Sequence, residues 1–511
     1  MMGMMSLLGL LSLAQAETFD NLANSMSPGM NRVWQIHGYQ RIRSSGYSNL
    51  DLDHGLTPSG TPLFPVPITE GQWLSASDIR LRTDISGMSE RGSVAVNVRL
   101  DFLDNVRLGS IPDGTAIDTR SQLAPEDSVI VRQAYATALT PVGFVIAGRM
   151  GTTWGLGMLA NSGDCVDCNT ADVSDRVGFI TSLGGHLWVL SYDFSSTGVG
   201  IDRMYNVPQI DAEPSDDAHS LTFAVMDVLS DFTRDRRQKG GRTSVEYGAY
   251  YSTRRQFNDV LSPSASNLSA NSLMYRGYSA TATDGFLRVT HPQFQVGMEA
   301  AYLTANIDNP SILPGVSTSQ SLNSQQWGIA LESQFGSRDA KLKGGVNVAL
   351  ASGDEAPGFG SRVSTNSSIA QAGDLDGVQF DFQTDTSANN FRFHPDYHVD
   401  RILWREIIGT VTDAVVIRPH LEWQIAKAGP GILWLNQSVA ISQAMMPTST
   451  PSGLSPLGIE WDPSLEYIST DGMGFQIDYA LLLPMAGLDN ALMGMDAKPA
   501  HLIRSHLRYR F

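Results

Sequence analysis

Cysteine is almost absent: 511 residues hold two, both in Gly163-Asp-Cys-Val-Asp-Cys-Asn169. A lone CxxC, with no second pair and no alternating strand–helix context, speaks against a zinc site and against a redox centre. In an exported chain, Cys165 and Cys168 read instead as a disulfide within a surface loop. Long apolar runs are also missing. After the first sixteen residues, none approaches the roughly 20 residues that a membrane-spanning helix needs, whereas spans made of strands of about 10 residues stay open. Positive charge is the scarcer sign. Lys and Arg number 35 against 52 Asp and Glu, a net −17 that argues against a nucleic-acid partner and suits a surface protein with acidic loops.

What is present begins with Met1 to Ala16, a Leu- and Met-rich run ending Ala14-Gln15-Ala16. It has the apolar stretch and small-x-small end of a signal peptide, so export is expected, with 17–33 as a short periplasmic segment before the first strand. That segment is too short for an N-terminal plug domain.

The C-terminus is more telling. In His501-Leu-Ile-Arg-Ser-His-Leu-Arg-Tyr-Arg-Phe511, Ile503, Ser505, Leu507, Tyr509 and Phe511 share one parity; Arg504, His506, Arg508 and Arg510 share the other. Successive side chains of a strand face opposite ways, so this strand has an apolar face and a basic one. Lipid outside and a watery lumen inside would satisfy both. Alternating segments of this kind recur near 34–43, 74–86, 92–104, 129–139, 143–150, 175–183, 186–195, 218–229, 242–255, 277–290, 293–306, 324–337, 340–352, 415–427, 432–443, 458–469, 473–484 and 501–511. Tight connections such as Gly184-Gly185 and Thr470-Asp-Gly472 alternate with long polar ones. The expected fold is all-β: one closed antiparallel transmembrane barrel of about 18 strands spanning 34–511, with short periplasmic turns and long outer loops. The connection 230–241 is medium-length and basic.

Parity also sorts the lumen. His37, Arg41, Arg43, Arg80, Arg82, Arg99, Arg149, Arg504, His506, Arg508 and Arg510 form an expected basic wall. Glu246, Glu299, Glu332, Glu422, Glu460, Asp462, Glu466 and Asp478 form an acidic wall opposite. Two readings follow. Either the walls set a transverse field across an open pore, favouring polar solutes, or the charges neutralise one another and crowd the interior. Asp78, Asp84 and Asp101 beside the arginines fit the second reading.

The longest connection, 353–414, carries Trp404, Ile407 and Ile408, for which a solvated loop has no use. Val399–Ile408 is expected to form a short amphipathic helix folded into the barrel mouth, with His394, Asp396, Asp400, Arg401, Arg405 and Glu406 lining a constriction. Asp374-Leu-Asp-Gly377 fails the spacing of a calcium loop and reads as a polar turn. Met150-Gly-Thr-Thr-Trp-Gly-Leu-Gly-Met158 lacks the Lys and helix of a phosphate loop and reads as a tight turn with a packed Trp154. The ten His residues offer no recognisable nucleophile setting, so no enzyme activity is expected.

Ile36-His-Gly-Tyr39, Asn49-Leu-Asp-Leu52, Leu103-Asp-Asn105, Gly148-Arg-Met150, Trp154-Gly-Leu-Gly-Met-Leu159, Ser174-Asp-Arg176, Tyr192-Asp-Phe194, Phe393-His-Pro-Asp-Tyr397 and Leu403-Trp-Arg-Glu-Ile-Ile-Gly409 are spread over most of the chain. Together they resemble a family of uncharacterised outer-membrane barrel proteins best known from myxobacteria. More distantly, the chain is similar to alginate-export and substrate-selective porins. The resemblance implies the bacterial outer membrane and the barrel fold, and brings no catalytic or ligand residues. The expectation is a porin-like channel for passive diffusion of polar or charged small solutes through an Arg/acid-lined lumen. The alternative is a non-conducting surface or adhesion protein on a filled barrel. Expected partners are outer-membrane lipid and lipopolysaccharide, and the assembly machinery through the last strand. The chain would be a monomer or homotrimer, with no cofactor.

Overall fold

The computed structural model describes residues 34–64, 73–89, 92–109, 129–201, 209–211, 213–260, 273–311, 317–318, 320–361, 369–381 and 385–511. The signal peptide and the segment 17–33 lie outside the described residues. Eighteen strands close into one antiparallel barrel. They are β1 Trp34–Ser48, β2 Trp73–Met88, β3 Val94–Arg107, β4 Val129–Thr140, β5 Gly143–Gly151, β6 Val173–Leu183, β7 His186–Ser196, β8 Ala218–Asp227, β9 Ser244–Val260, β10 Leu273–His291, β11 Phe294–Ile307 and β12 Leu322–Phe335. Then come β13 Leu342–Ala351, β14 Ala414–Ala428, β15 Gly431–Ala444, β16 in two pieces (Pro456–Trp461 and Ser464–Ser469), β17 Met473–Pro484 and β18 Ala500–Arg510. Each pairs with its neighbour, and β18 returns to β1 with Tyr39 opposite Arg510 and Ser48 opposite His501. Closure leaves no edge, the condition for crossing lipid with strands. Among the described residues no helix is long and apolar enough to cross a membrane.

The parity read from the sequence sets the two faces. On β18, Ile503, Leu507, Tyr509 and Phe511 are exposed while Arg504 and His506 are buried. Val94, Val96, Leu190, Tyr192, Tyr247, Tyr251, Ile417, Trp423, Phe475 and Ile477 continue the exposed apolar surface around the barrel. An outside this apolar belongs in hydrocarbon, so the chain is an outer-membrane barrel.

Two connections depart from expectation. Between β8 and β9 the basic stretch forms a helix, α1 (Asp231–Lys239), which Ser230 caps by accepting the Thr233 N–H. Its last turn holds Arg236, Arg237 and Lys239, the sign that the helix C-terminus favours. The expected helix at 399–408 is a single wide turn, Leu403–Ile408, with Ile407 N–H reaching Ile402 and Gly409 N–H reaching Trp404. Asp400 accepts the Trp404 and Arg405 N–H groups, and Glu460 those of 401–403, so carboxylates replace the bonds of a first helical turn. Gly409, at φ +103°, ends it.

The main hydrophobic core lies inside the barrel. Phe359, Phe391, Phe393, Ile402, Leu403, Trp404, Ile407 and Ile408 of the 352–413 connection pack against small wall residues Ala330, Ala349, Ala440, Ala444, Ala480 and Ala500. The wall carries alanine where bulky loop side chains need room.

Candidate functional site

The interior divides into a packed half and an open half. In the packed half two connections fold inward, 152–172 and the described parts of 352–413. The basic wall grips the first. Arg41 donates to the Val166 carbonyl at 2.7 Å, Arg80 to that of Cys168 at 2.7 Å and Arg82 to that of Gly163 at 2.5 Å. Arg43 reaches Asp167 at 2.8 Å and Asn169 at 2.9 Å, and Arg99 pairs with Asp164. Each arginine also holds a wall carboxylate: Asp78 for Arg41 and Arg43, Asp104 for Arg80, Asp101 for Arg82 and Asp84 for Arg99. A guanidinium's forked donors permit this double use.

The acidic wall does the converse, accepting loop N–H groups. Glu299 takes those of Leu156, Met158 and Leu159, and Glu460 those of Arg401, Ile402 and Leu403 at 2.8–3.0 Å. Buried backbone groups must find partners, and the two walls supply them by sign: cations for carbonyls, anions for amides. The remaining acids are also engaged or covered. Glu246 holds Arg234 of α1 at 2.8 Å, Glu466 pairs with Arg508, and Asp478 takes Arg401 and His506. Glu422 accepts from Gln334 at 3.1 Å, Glu332 adjoins Tyr397, and Asp462 is buried at the break in β16. Arg510, half-buried, keeps the inward parity of β18.

Several expectations are corrected. Arg149 is not in the lumen. It shares the parity of exposed Val145, is itself exposed, and pairs with Asp175 at 2.8 Å on the outer surface. The disulfide forms, but its loop is not a free outer loop: Cys168 is 1% exposed and clasped against the wall by Arg80, while Cys165 stays exposed. Five of the six residues expected to line a constriction instead fasten one connection to the other or to the wall, and Asp400 holds a turn of its own connection. Asp396 accepts the N–H groups of Asn169 and Thr170, Arg405 pairs with Asp167 at 2.6 Å, and Glu406 with Arg504 at 2.7 Å. Arg401 meets Asp478, Asp400 caps the wide turn, and His394 lies 3.7 Å from Asp172. Trp154 is packed in its turn as expected, edge-on to Tyr250 and Phe286. Asp374 accepts from Ser59 and Gln371, as a polar turn should.

Burial alone would raise the Asp396 carboxyl; the His398 ring, the Thr170 hydroxyl and the Asn169 amide outweigh it and hold the group below the usual carboxylate range. At Asp167 burial is likewise outweighed, by Arg405, His506, Arg504 and Arg43, and the carboxyl sits well below that range. Asp400 goes the other way: burial pushes it up to about 7.

The open half is a cavity of about 2220 Å³. Its lining begins at the short-turn end with Gly87, Met88, Gly92 and the α1 residues Phe232, Asp235, Arg236 and Lys239. It reaches the long-loop end at Asp172, Arg254, Tyr278 and Leu303. Of the two walls read from sequence, only His37 and Arg99 border it. Asp84, Arg176, Asp193, Arg254, Tyr135 and Tyr250 supply the polar lining instead. Arg176 is held by Asp193 at 2.5 Å, and Arg254 donates to Ser220 at 2.8 Å. Inward parity on β6, β7 and β9 was the available signal for Arg176, Asp193, Tyr250 and Arg254, and on β4 for Tyr135; Asp84 on β2 was already read beside the arginines.

No family model and no curated protein matches the sequence. Among solved structures, a BenF-like porin from Pseudomonas fluorescens Pf-5 aligns over 94% of this chain and 100% of its own, with 10% identity and a TM-score of 0.46. OccK9 (OpdG) of Pseudomonas aeruginosa gives 10% identity, coverage of 94% and 99%, and a TM-score of 0.46. OpdK of Pseudomonas aeruginosa, solved with vanillate, gives 9%, 93% and 98%, and 0.43.

Proposed function

We propose that this protein is a porin-like channel through which small polar or charged solutes diffuse passively across the outer membrane. The observation that carries the reading is the cavity whose lining runs from the short-turn end of the barrel to the long-loop end. Among the apolar residues of its lining stand Arg99, Arg176 and Arg254, the carboxylates Asp84, Asp172 and Asp193, and Tyr135 and Tyr250. Fixed ion pairs orient water and solute dipoles while presenting little net charge, so a polar solute trades hydration for wall contacts and an apolar one does not. The route involves no cofactor and no energy coupling. Membership of the myxobacterial-type barrel family, export through a cleaved signal peptide, insertion by the assembly machinery and a monomeric or trimeric state belong to the same proposal.

The rival, a silent surface protein on a filled barrel, draws support from the packed half. Planar-bilayer recording of the purified protein separates the two. Stepwise openings are expected, and Arg254→Glu should move the reversal potential in a salt gradient toward cation preference. A correctly folded, membrane-inserted protein that never conducts would favour the surface reading.

A further inference from the structure

The connection between β7 and β8 holds a feature unrelated to the bore. A two-residue hairpin, Gly200–Ile201 with Ile210–Asp211, leads into Glu213-Pro-Ser-Asp-Asp217. There, Asp211, Asp216 and Asp217 each place a carboxylate oxygen within 4.8 Å of the other two. Like charges so close repel. Some contacts order the turn: Asp211 accepts the Glu213 N–H at 2.9 Å, and the Asp216 N–H reaches the Glu213 carbonyl at 3.1 Å. His219 Nε2 lies 3.4 Å from the Asp217 carboxylate.

The decisive residue is Asp216. It is 2% exposed; its carboxylate accepts the Val199 N–H, while Oδ1 has no hydrogen-bond partner, and Oδ1 of Asp217 is buried and unpartnered as well. A buried carboxylate oxygen without a donor costs folding free energy unless something absent from the protein satisfies it. Gly198, at φ +62°, sits directly on the Asp216 carboxylate, where a Cβ would collide with it. The backbone is thus shaped to admit that group.

We infer that Asp211, Asp216 and Asp217 form a calcium site in this outer loop, with Asp216 as its buried anchor. Calcium takes oxygen ligands at about 2.3–2.6 Å in flexible geometry, so two ligands of one ion stand at most about 5.2 Å apart. The three carboxylates meet that limit. Carbonyls, water or the second oxygens of the same carboxylates complete such a sphere.

The test uses the full chain refolded in detergent free of lipopolysaccharide, which itself binds divalent cations. After treatment with a chelator, CaCl2 is titrated in a calorimeter, with MgCl2 in parallel. One saturable calcium site per chain is expected, weakened at least about tenfold by Asp216→Asn. No saturable calcium binding overturns the inference, as does equal affinity in the variant or magnesium binding as tight as calcium. Heat-modifiable migration on a gel checks that the variant has folded. Should Asp216→Asn fail to refold, Asp217→Asn decides by the same criterion. Conductance is read separately, so either result leaves the channel reading where it stood.

Discussion

Trp404 is the residue on which the packed half turns. It is 2% exposed, meets Phe359 edge-on, and donates its indole N–H to Ser442 at 3.0 Å. Truncating a buried Trp to Ala typically costs about 3–5 kcal/mol, because a cavity is left where contacts were. Here that cost falls on the seating of the 352–413 connection, since the strand ladder does not pass through it. Trp404→Ala should therefore keep the heat-modifiable barrel while making 352–413 more sensitive to added protease and raising single-channel conductance. An unchanged digestion pattern and conductance would show that the segment is held chiefly by its ionic contacts. Individual residues were legible from sequence where parity alone decides. Tyr509 outward and Arg504 inward needed nothing more. Arg149 was misread because a positive charge seemed out of place on a lipid-side parity. It sits near the end of β5, beside Asp175 at the start of β6, where the pair meets water rather than hydrocarbon.

At the scale of elements, the two inward connections hold each other through charge. Asp396 bonds the backbone of 169–170, and Asp167 pairs with Arg405. Both carboxyls are held below their ordinary range, so folding keeps fewer protons on them than the unfolded chain would. Their contribution is complete above the unfolded carboxylate pKa of about 3.9 and is lost as pH falls below it toward the depressed folded values. Between pH 7 and 5 the hold of Asp167 and Asp396 on 152–172 should stay constant, and below about pH 4 it should weaken. Protease accessibility of that loop, followed across pH in refolded protein, checks the sign; loosening on the alkaline side instead would contradict it. All eighteen strands were readable in the sequence because lipid on one face and water on the other impose a two-residue alternation along each strand. The inward fold of 152–172 was not. Its Gly, Asp and Cys residues look like any solvated loop, and only the arginines of β1–β3, distant in sequence, give them partners.

For the whole molecule, the strand count sets the outer girth, and the connections decide how much of the interior is left. The two charged walls were legible; their use was not, because a sequence lists charges without saying which backbone groups will come to meet them. On the channel reading proposed above, permeability would be governed by a contest of volumes rather than by a ring of ions. The recessed patch made by Ala440 and its neighbours is the berth for the indole of Trp404 and the rings beside it. Ordinarily a bulkier wall narrows a pipe. In this one, a phenyl ring at position 440 would occupy the berth, evict its tenant and leave more room for traffic. An Ala440→Phe barrel that passes more current than the parent would be the mark of a conduit whose calibre is set by what its lining shelters.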